Sequence, residues 1–459
     1  MNRFELSDLK PGAHIHFIGI GGISMSGLAV ILLQKGYKVS GSDRQKSHIT
    51  DKLEKNGATI FIGHNKENIN GAVLIVHTAA VHMDNPEMIA ATQQNIRLID
   101  RAECLGAIMK DYKHAVGISG THGKTTTTGM LTHALIYADT DPTISIGGEL
   151  DIIDGNIRAG KSDFFVTEAC EYTNSFLKFF PHIAVITNIE EDHLDFFSGI
   201  EEIRKSFAAF AELTKEDGYV IAYGDDENIK EALKNSDCNI IYYGKDNTSS
   251  YYPENIVVKN GFPEFDVVYE GEFKTHVKLN VPGYHNIMNT LSVIAVCKML
   301  GIDAETAAKG IETYKGTHRR FEKLGMLNGA TIIADYAHHP TEIKATLTAA
   351  KEFSYNRMWC VFQPHTYTRT KTLWNSFLTC FDDADKLIVT HIYAAREKFD
   401  GITKASELTA QIRQRGNDAV YIEDFSQVCE YLKENVQPDD MVFIMGAGDV
   451  IDIGYEIVK

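Results

Sequence analysis

The residues best suited to chemistry lie between positions 120 and 128, where two glycines, a lysine and several hydroxyls follow one another. In such a loop, backbone N–H groups bind phosphate oxygens, a lysine adds positive charge and a hydroxyl can bind Mg²⁺. Residues 114–119 before it are apolar, as in a buried strand, and residues 129–135 after it favour a helix. We therefore predict a site for ATP and Mg²⁺ formed by Gly120, Thr121, His122, Gly123, Lys124, Thr125 and Thr126.

The glycine spacing of this loop differs from that of the common P-loop. Gly120 and Lys124 belong to a G-x-x-G-K-T pattern, and Ile118 stands where the usual first glycine would fall. The spacing therefore indicates an ATP-binding loop that differs from the common P-loop, and this difference narrows the possible functions.

A second glycine-rich loop follows an apolar run near the N-terminus. It begins like a dinucleotide-binding fingerprint, but Ser24 stands where the third glycine would be. The alternatives are a nicotinamide dinucleotide, another diphosphate such as that of a nucleotide sugar, or a tight turn without ligand. Four glycines in nine residues favour a diphosphate. The candidate residues are Gly19, Gly21, Gly22, Ser24, Met25, Ser26 and, after the next apolar run, Asp43.

Two groups of carboxylates follow apolar runs in the middle of the chain. Glu168 and Glu171 follow one run, and Asp192, His193 and Asp195 follow the next. Ligands of ATP-bound Mg²⁺ are rich in oxygen and lie at the carboxyl ends of parallel strands. We therefore predict Thr125, Glu168 and His193 as metal ligands, although His193 alone would also suit a helix cap.

Composition narrows the class of protein. A chain of 459 residues is too long to fold around a single hydrophobic core. Its content of 44% apolar and 23% charged residues is typical of a globular protein. A net charge of −17 argues against nucleic acid as a partner. The seven cysteines form no CxxC pair, as expected for reduced thiols, and the N-terminus lacks the apolar core of a signal peptide. No apolar run is long enough for a membrane span, so we expect a cytoplasmic protein with no membrane partner.

Strand-like and helix-like segments alternate almost throughout, which predicts an α/β protein. We expect three domains at residues 1–100, 101–316 and 317–459. The first and last would be Rossmann-like, and the middle one would hold the ATP loop on a parallel sheet. Alternating segments between about 245 and 282 predict a small antiparallel sheet added to the middle domain.

Motifs along nearly the whole chain resemble those of the Mur ligase family, which forms amide bonds in peptidoglycan precursors at the expense of ATP. The matching segments are 120–128, Asn188 with 192–195, 283–289, 316–322, 335–342 and 362–369. Residues 19–27, the two histidines before Pro340 and residues 362–365 resemble the members that add L-alanine to UDP-N-acetylmuramate. The resemblance implies that the N-terminal loop binds UDP, and that UDP-N-acetylmuramate and L-alanine are the substrates.

The resemblance also implies roles for individual residues. Lys124, Arg319 and Arg320 would stabilise the transferred phosphoryl group, with His193 among the catalytic residues through the metal. Asn286 and Asn289, three apart on a predicted helix, would bind adenine, and Asp335 would bind the ribose. The acceptor side would hold His338, His365 and Arg369, the last as a candidate for the alanine carboxylate.

The chain departs from the family pattern at two positions. Many alanine-adding members carry an acid where this chain has Cys170, and an arginine where it has Thr366. These departures concern the contacts to the amino acid.

Rival hypotheses are a ligase that adds murein tripeptide to the same UDP-sugar, an NAD-dependent oxidoreductase and a UDP-sugar sensor without activity. We expect a monomer or weak homodimer.

Overall fold

The computed structural model describes residues 4–78, 80–214 and 216–458, and three sheets divide them in chain order. The first sheet is wholly parallel, with the strand order β3-β2-β1-β4-β5. Its strands are β1 (His14–Ile18), β2 (Lys38–Asp43), β3 (Thr59–Ile62), β4 (Leu74–His77) and β5 (Arg97–Asp100). The helices of this part are α1 (Ile23–Gln34), α2 (His48–Lys55), α3 (Pro86–Gln93) and α4 (Arg101–Lys110). Ile15 and Phe17 are fully buried, as expected for a parallel strand covered on both faces.

The second sheet has ten strands and carries the phosphate loop. Its strands are β6 (His114–Ser119), β7 (Thr143–Leu150), β8 (Gly155–Arg158), β9 (Phe164–Glu168), β10 (Ile183–Ile186), β11 (Tyr219–Tyr223), β12 (Ile240–Tyr243), β13 (Tyr251–Lys259), β14 (Phe262–Tyr269) and β15 (Glu272–Lys278). The helices are α5 (Lys124–Tyr137), α6 (Ile200–Ala211), α7 (Glu227–Leu233), α8 (Tyr284–Met299) and α9 (Ala304–Glu312). The strand order is β15-β14-β13-β12-β11-β10-β6-β9-β7-β8. Since β6 lies between β10 and β9, their carboxyl ends meet at one edge.

The expected antiparallel strands are present as β13 to β15. They continue the parallel sheet instead of standing apart, because Tyr243 of β12 pairs with Tyr251 of β13. This junction is a single residue pair, after which the chain direction alternates. The middle part is therefore one mixed sheet.

The third sheet holds the C-terminal part in the order β16-β17-β21-β18-β19-β20, with only β16 antiparallel to its neighbour. Its strands are β16 (Glu322–Leu327), β17 (Ala330–Asp335), β18 (Met358–Phe362), β19 (Lys386–Val389), β20 (Ala419–Tyr421) and β21 (Met441–Met445). The helices are α10 (Pro340–Ala350), α11 (Tyr367–Thr372), α12 (Trp374–Phe377), α13 (Ala405–Gln414), α14 (Phe425–Asn435) and α15 (Ile451–Ile457). The α/β class and the three-part organisation are thus confirmed. The expected boundary after residue 316 lies between β15 and β16, and the one after residue 100 lies between β5 and α4.

The first and middle parts are in direct contact. A side chain at Gly106 of α4 would meet the carbonyl oxygen of Lys178 at 2.0 Å, so only glycine permits this approach. Gly27 of α1 is equally constrained, because a Cβ there would lie 1.9 Å from Ile157 of β8. The Lys178 amino group also pairs with Asp100. Among the described residues, no helix has both the length and the apolar character needed to cross a bilayer.

Candidate active site

The phosphate loop joins β6 to α5 and is shaped by its two glycines. Gly120 has a φ of 135°, and a Cβ there would lie 2.0 Å from the hydroxyl oxygen of Thr187. Gly123 has a φ of 85° and caps α5 without a side-chain hydrogen bond. Since no side chain occupies the first N–H groups of α5, the helix N-terminus is suited to a phosphate.

The residues that follow β10 hold this loop in place. The His122 N–H donates to Asn188 Oδ1 at 2.8 Å, and Asn188 Nδ2 donates to the His122 carbonyl at 3.0 Å. The Thr187 hydroxyl donates to the same carbonyl at 2.6 Å. The loop is therefore fixed by polar side chains of a neighbouring strand end, and Asn188 acts as its main support.

The Lys124 amino group lies inside the loop. It donates to the carbonyls of Gly120 and Thr121 and pairs with Glu171 Oε2 at 3.1 Å. Burial would lower the pKa of Lys124, but the Glu171 carboxylate outweighs burial and holds the pKa above its ordinary value. Lys124 is therefore a fixed positive charge, as a phosphate-binding lysine requires.

Glu171 itself is buried and also lies near His193, with 3.9 Å between Glu171 Oε1 and His193 Nε2. Our sequence analysis placed Glu171 near the site but gave it no role. The signal was its spacing, since it stands three residues after Glu168 at the end of β9.

The three predicted metal ligands lie at the end of β9, in the first turn of α5 and in the segment after β10. Glu168 ends β9 and accepts a hydrogen bond from the Gly147 N–H at 2.6 Å. Thr125 lies in the first turn of α5, and a Cβ at Gly148 would lie 3.2 Å from its methyl group. His193 has a φ of 54°, and its ring is tilted by 32° against that of Tyr172, with 4.6 Å between ring centroids.

A cavity of about 330 Å³ opens beside the loop, between the middle and C-terminal parts. It is lined by residues from both, including His122, Gly123, Thr126, Asn286, Asn289, Arg320, Asp335 and Glu342. Aromatic side chains of Tyr223, Tyr243, Tyr284 and Tyr314 line it as well. Its size, aromatic lining and position next to a phosphate loop suit a nucleoside.

Asn286 and Asn289 are both buried on one face of α8. Asn289 Nδ2 donates to Asn286 Oδ1 at 2.9 Å, and Asn286 Nδ2 donates to the Pro282 carbonyl at 2.7 Å. Asn289 also lies against Gly123, where a Cβ would be 3.0 Å from Asn289 Oδ1. The two asparagines therefore line the cavity at the point where it meets the phosphate loop.

Asp335 ends β17 and lines the same cavity. Its two oxygens accept hydrogen bonds from the N–H groups of Phe321 at 2.9 Å and Ala337 at 2.8 Å. Burial raises the pKa of Asp335 to about 6, although Arg320 opposes the shift. Asp335 thus organises two backbone segments at the cavity wall.

The two neighbouring arginines both lie over the Tyr336 ring but differ in their other contacts. Arg320 lines the nucleoside cavity and lies 4.0 Å from Glu342. Arg319 instead donates to the carbonyls of Gly446 at 2.7 Å and Gly448 at 2.9 Å. Arg320 is therefore the member of the pair placed to reach a phosphate.

A second cavity, of about 280 Å³, lies on the other side of the loop after β10. Arg369 lines it and pairs with Asp192 Oδ1 through Nε at 3.1 Å and Nη2 at 2.9 Å. Burial raises the pKa of Asp192, but Arg369 and His193 outweigh burial and hold it well below its usual range. Thr366, one of the two departures from the family pattern, also lines the cavity and has a φ of 65°.

The acceptor-side histidines are held as neutral rings. His365 Nδ1 accepts a hydrogen bond from Arg369 at 2.9 Å, and burial lowers the pKa of His365 to about 4. His338 Nδ1 lies 3.0 Å from the Tyr336 carbonyl, and burial lowers its pKa to about 4. The two rings are 5.7 Å apart. The structure thus brings His338, His365 and Arg369 together.

The N-terminal loop joins β1 to α1. Gly19 has a φ of 83°, and Gly22 caps α1 without a side-chain hydrogen bond. The Gly21 N–H donates to Asp43 Oδ2 at 2.8 Å. Asp43 therefore shapes the loop. The remaining predicted residues, Ser24, Met25 and Ser26, form the first turn of α1.

Comparison with known proteins agrees with this geometry. The model of the Mur ligase middle domain matches residues 118–297, that of the Mur ligase family catalytic domain matches residues 14–113, and that of the Mur ligase glutamate ligase domain matches residues 319–448. The chain belongs to the Mur ligase family.

Three individual proteins illustrate the relationship. The UDP-N-acetylmuramate–L-alanine ligase of Clostridium botulinum (strain Okra) is 52% identical over 96% of both chains. The crystal structure of the UDP-N-acetylmuramate–alanine ligase of Thermotoga maritima has a TM-score of 0.79 at 30% identity, covering 97% of this chain and 98% of that one. A murein peptide ligase of Psychrobacter arcticus shares the fold, with a TM-score of 0.70 at 24% identity over 97% and 98% of the two chains.

Proposed function

We propose that this protein joins L-alanine to the lactyl carboxylate of UDP-N-acetylmuramate, with ATP as the source of energy. The observation that carries the proposal is the 52% identity, over 96% of both chains, to a ligase named for this reaction. The geometry is compatible with it, and we assign the three reactants to three parts of the molecule. ATP has the phosphate loop and its cavity, the UDP-sugar has the N-terminal loop, and the amino acid has the cavity beside Arg369.

The reaction proceeds in two steps, because an unactivated carboxylate is a poor electrophile and must first receive a leaving group. A lactyl carboxylate oxygen attacks the γ-phosphorus of ATP, ADP leaves, and an acyl phosphate forms. The alanine amine, having lost a proton, then attacks the carbonyl carbon. The tetrahedral intermediate collapses by breaking the carbon–oxygen bond to phosphate, which leaves an amide.

The residues around the phosphate loop act mainly by position and charge. Lys124 is already a fixed cation, and Glu171 holds its amino group within the loop. Arg320 adds a second positive charge from the C-terminal part. Arg319, through its bonds to Gly446 and Gly448, supports the segment that carries Arg320.

The residues present also fit a Mg²⁺ ion. Thr125 and Glu168 supply oxygen ligands, as a hard cation prefers, and His193 lies near Glu171 on the same side. Glycines at 147 and 148 leave the room that a side chain would fill beside Glu168 and Thr125. When bound, Mg²⁺ would neutralise charge on the phosphates. These ligand roles, the cytoplasmic location and the monomer or weak homodimer remain predictions.

Release of phosphate from ATP in the presence of each substrate tests the proposal. We expect release only when both UDP-N-acetylmuramate and L-alanine are present, with UDP-N-acetylmuramoyl-L-alanine identified by mass spectrometry. Release with murein tripeptide in place of L-alanine would instead support the tripeptide ligase. Release that needs neither amino acid nor peptide would overturn both.

A further inference from the structure

A second cluster of possible metal ligands shares no residue with Thr125, Glu168 and His193. It consists of His122 in the phosphate loop, Glu190 after β10 and His339 at the start of α10. One ligand atom from each residue lies within 4.8 Å of the others. The first two residues belong to the middle part and His339 to the C-terminal part, so the cluster spans two domains.

The distances in this cluster suit a small tetrahedral ion. His122 Nε2 lies 3.5 Å from Glu190 Oε2, and His339 Nδ1 lies 4.0 Å from the same oxygen. Zn²⁺ binds nitrogen and oxygen at about 2.0–2.2 Å, so two ligands of a tetrahedron stand roughly 3.3–3.5 Å apart. Adjustments of less than about 1 Å would therefore bring the three ligand atoms to a common ion.

The surroundings of His122 provide a second, independent observation. Its Nδ1 lies 3.1 Å from Glu342 Oε1, which fixes the ring and places the other nitrogen toward Glu190. That nitrogen, Nε2, is buried and makes no hydrogen bond, although it lies 3.5 Å from the Glu190 carboxylate as an ion-pair partner. A histidine that ligates a metal through one nitrogen usually donates its other N–H to a carboxylate, which is the arrangement that Glu342 offers here.

We propose that His122, Glu190 and His339 form a binding site for a divalent transition metal, with Zn²⁺ as the best chemical match. Two imidazoles and one carboxylate form a ligand set that Zn²⁺ accepts, with a fourth position left for water. The set differs from the oxygen-rich ligands that Mg²⁺ prefers.

The contacts that the ion would replace are few. The Thr341 N–H donates to His339 Nδ1 at 3.3 Å, which is a long bond, and the Thr341 hydroxyl donates to Glu190 Oε2 at 2.7 Å. The start of α10 keeps another cap when the first bond is lost, because Glu342 Oε2 accepts from the His338 and His339 N–H groups. Binding therefore leaves the helix start supported.

An ion at this site would hold the middle and C-terminal parts together. Two of its ligands, His122 and Glu190, also line the nucleoside cavity. Occupancy of the site therefore fixes one wall of that cavity relative to the other.

The test is a titration of the full-length protein with Zn²⁺ against a chelating indicator, with millimolar Mg²⁺ present to occupy the oxygen sites. We expect one tightly bound ion per chain. His339→Ala and Glu190→Gln should each weaken binding at least tenfold, and Glu342→Gln by about tenfold because it supports the first ligand. The matched control is His318→Ala, which removes a histidine outside the cluster that pairs with Glu322 and Asp151, and it should leave the affinity unchanged.

Cobalt gives a spectroscopic check that does not depend on activity. Co²⁺ bound at this site should show the intense visible d–d bands of four-coordinate cobalt, and both His339→Ala and Glu190→Gln should lose them. Circular dichroism of each variant identifies any that fails to fold, and the other variant then decides. Equal Zn²⁺ affinity in the parent and in folded His339→Ala or Glu190→Gln, or the weak bands of six-coordinate cobalt, would overturn the proposal.

Discussion

The N-terminal loop (residues 19–22) and the phosphate loop (residues 120–123) are built alike but equipped differently. Each follows a strand with parallel neighbours on both sides, and each leads into a helix that has no side-chain cap. Both therefore present free N–H groups at a helix start, at the sheet edge where α/β proteins bind ligands. The shared backbone is suited to a diphosphate in either place.

The difference lies in the side chains that follow. Helix α5 begins with Lys124 and Thr125, whereas α1 begins with Ile23 and Ser24. The phosphate loop is also surrounded by charged and amide side chains from other elements, while Asp43 supports the N-terminal loop. The comparison indicates that the backbone provides anion binding in both loops, whereas the side chains around the phosphate loop provide the groups needed for phosphoryl transfer.

The largest expected effect follows from removing the lysine that distinguishes the two loops. Lys124→Ala should lower kcat of ligation by about 10³-fold, or about 4 kcal/mol, because it removes a positive charge from the transferred phosphoryl group. The matched control is Lys35→Ala at the end of α1, where the amino group pairs with partly exposed Asp111. Steady-state kinetics should show nearly full activity for the control, and a similar loss in both variants would contradict the assignment.

The next largest effect is on stability and compares a glycine of the phosphate loop with a glycine that follows α1. Gly120→Ala should destabilise the protein by about 3 kcal/mol, because a φ of 135° disfavours alanine and the Cβ would meet Thr187. Gly36→Ala, after α1, has a φ of 85° but no atom within 4 Å, so it should cost only about 1 kcal/mol. Urea unfolding measures both, and equal costs would show that the close contact at Gly120 is unimportant.

A buried carboxylate supports the N-terminal sheet and gives a pH-dependent effect. Glu87 is fully buried and accepts hydrogen bonds from the Ser42 hydroxyl at 2.6 Å and from Asn68 Nδ2 at 2.6 Å. Burial alone would raise the pKa of Glu87, but the His16 ring 3.8 Å away and hydrogen bonds from Ser42 and Asn68 lower it to about 2.

Glu87→Gln should therefore cost about 2 kcal/mol of stability at pH 7. Because the folded-state pKa lies below the unfolded value of 4.5, the carboxylate stabilises above pH 4.5, and this contribution is lost as the pH falls toward 2. Urea unfolding between pH 7 and pH 3 should show the gap between parent and variant narrowing below pH 4.5. A gap that widens on acidification would contradict the sign.

The smallest effect concerns the support of the N-terminal loop. Asp43→Ala removes the acceptor of the Gly21 N–H and should weaken UDP-N-acetylmuramate binding by about 1–2 kcal/mol, roughly tenfold. We expect a higher KM for the UDP-sugar with little change in kcat. Asp51→Ala, at a partly exposed pair with Lys46, is the control and should leave KM unchanged. A fall in kcat alone would place Asp43 in the chemistry instead.

Local patterns in the sequence predicted the elements well. The apolar run at 114–119 is a strand, as expected for a segment of a parallel sheet that is buried on both faces. Both glycine loops also follow strands and precede helices, since their chemistry is encoded within a few residues.

Contacts between residues that are far apart in the chain could not be predicted from local sequence patterns. Asp192 and Arg369 lie 177 positions apart, and only the packing of two domains brings them together. Arg319 has a left-handed φ of 61° and contacts Gly446 and Gly448, 127 and 129 positions away, and no local pattern revealed either feature. The role of Glu171 as the partner of Lys124 likewise depends on the neighbouring positions of β6 and β9.

The central claim is that the two loops hold different phosphates, and calorimetric titration of two variants tests it most directly. Lys124→Ala should lose affinity for a non-hydrolysable ATP analogue while binding UDP-N-acetylmuramate as the parent does. Asp43→Ala should show the opposite pattern. Loss of UDP-N-acetylmuramate binding in a folded Lys124→Ala variant, with the ATP analogue still bound, would contradict the account.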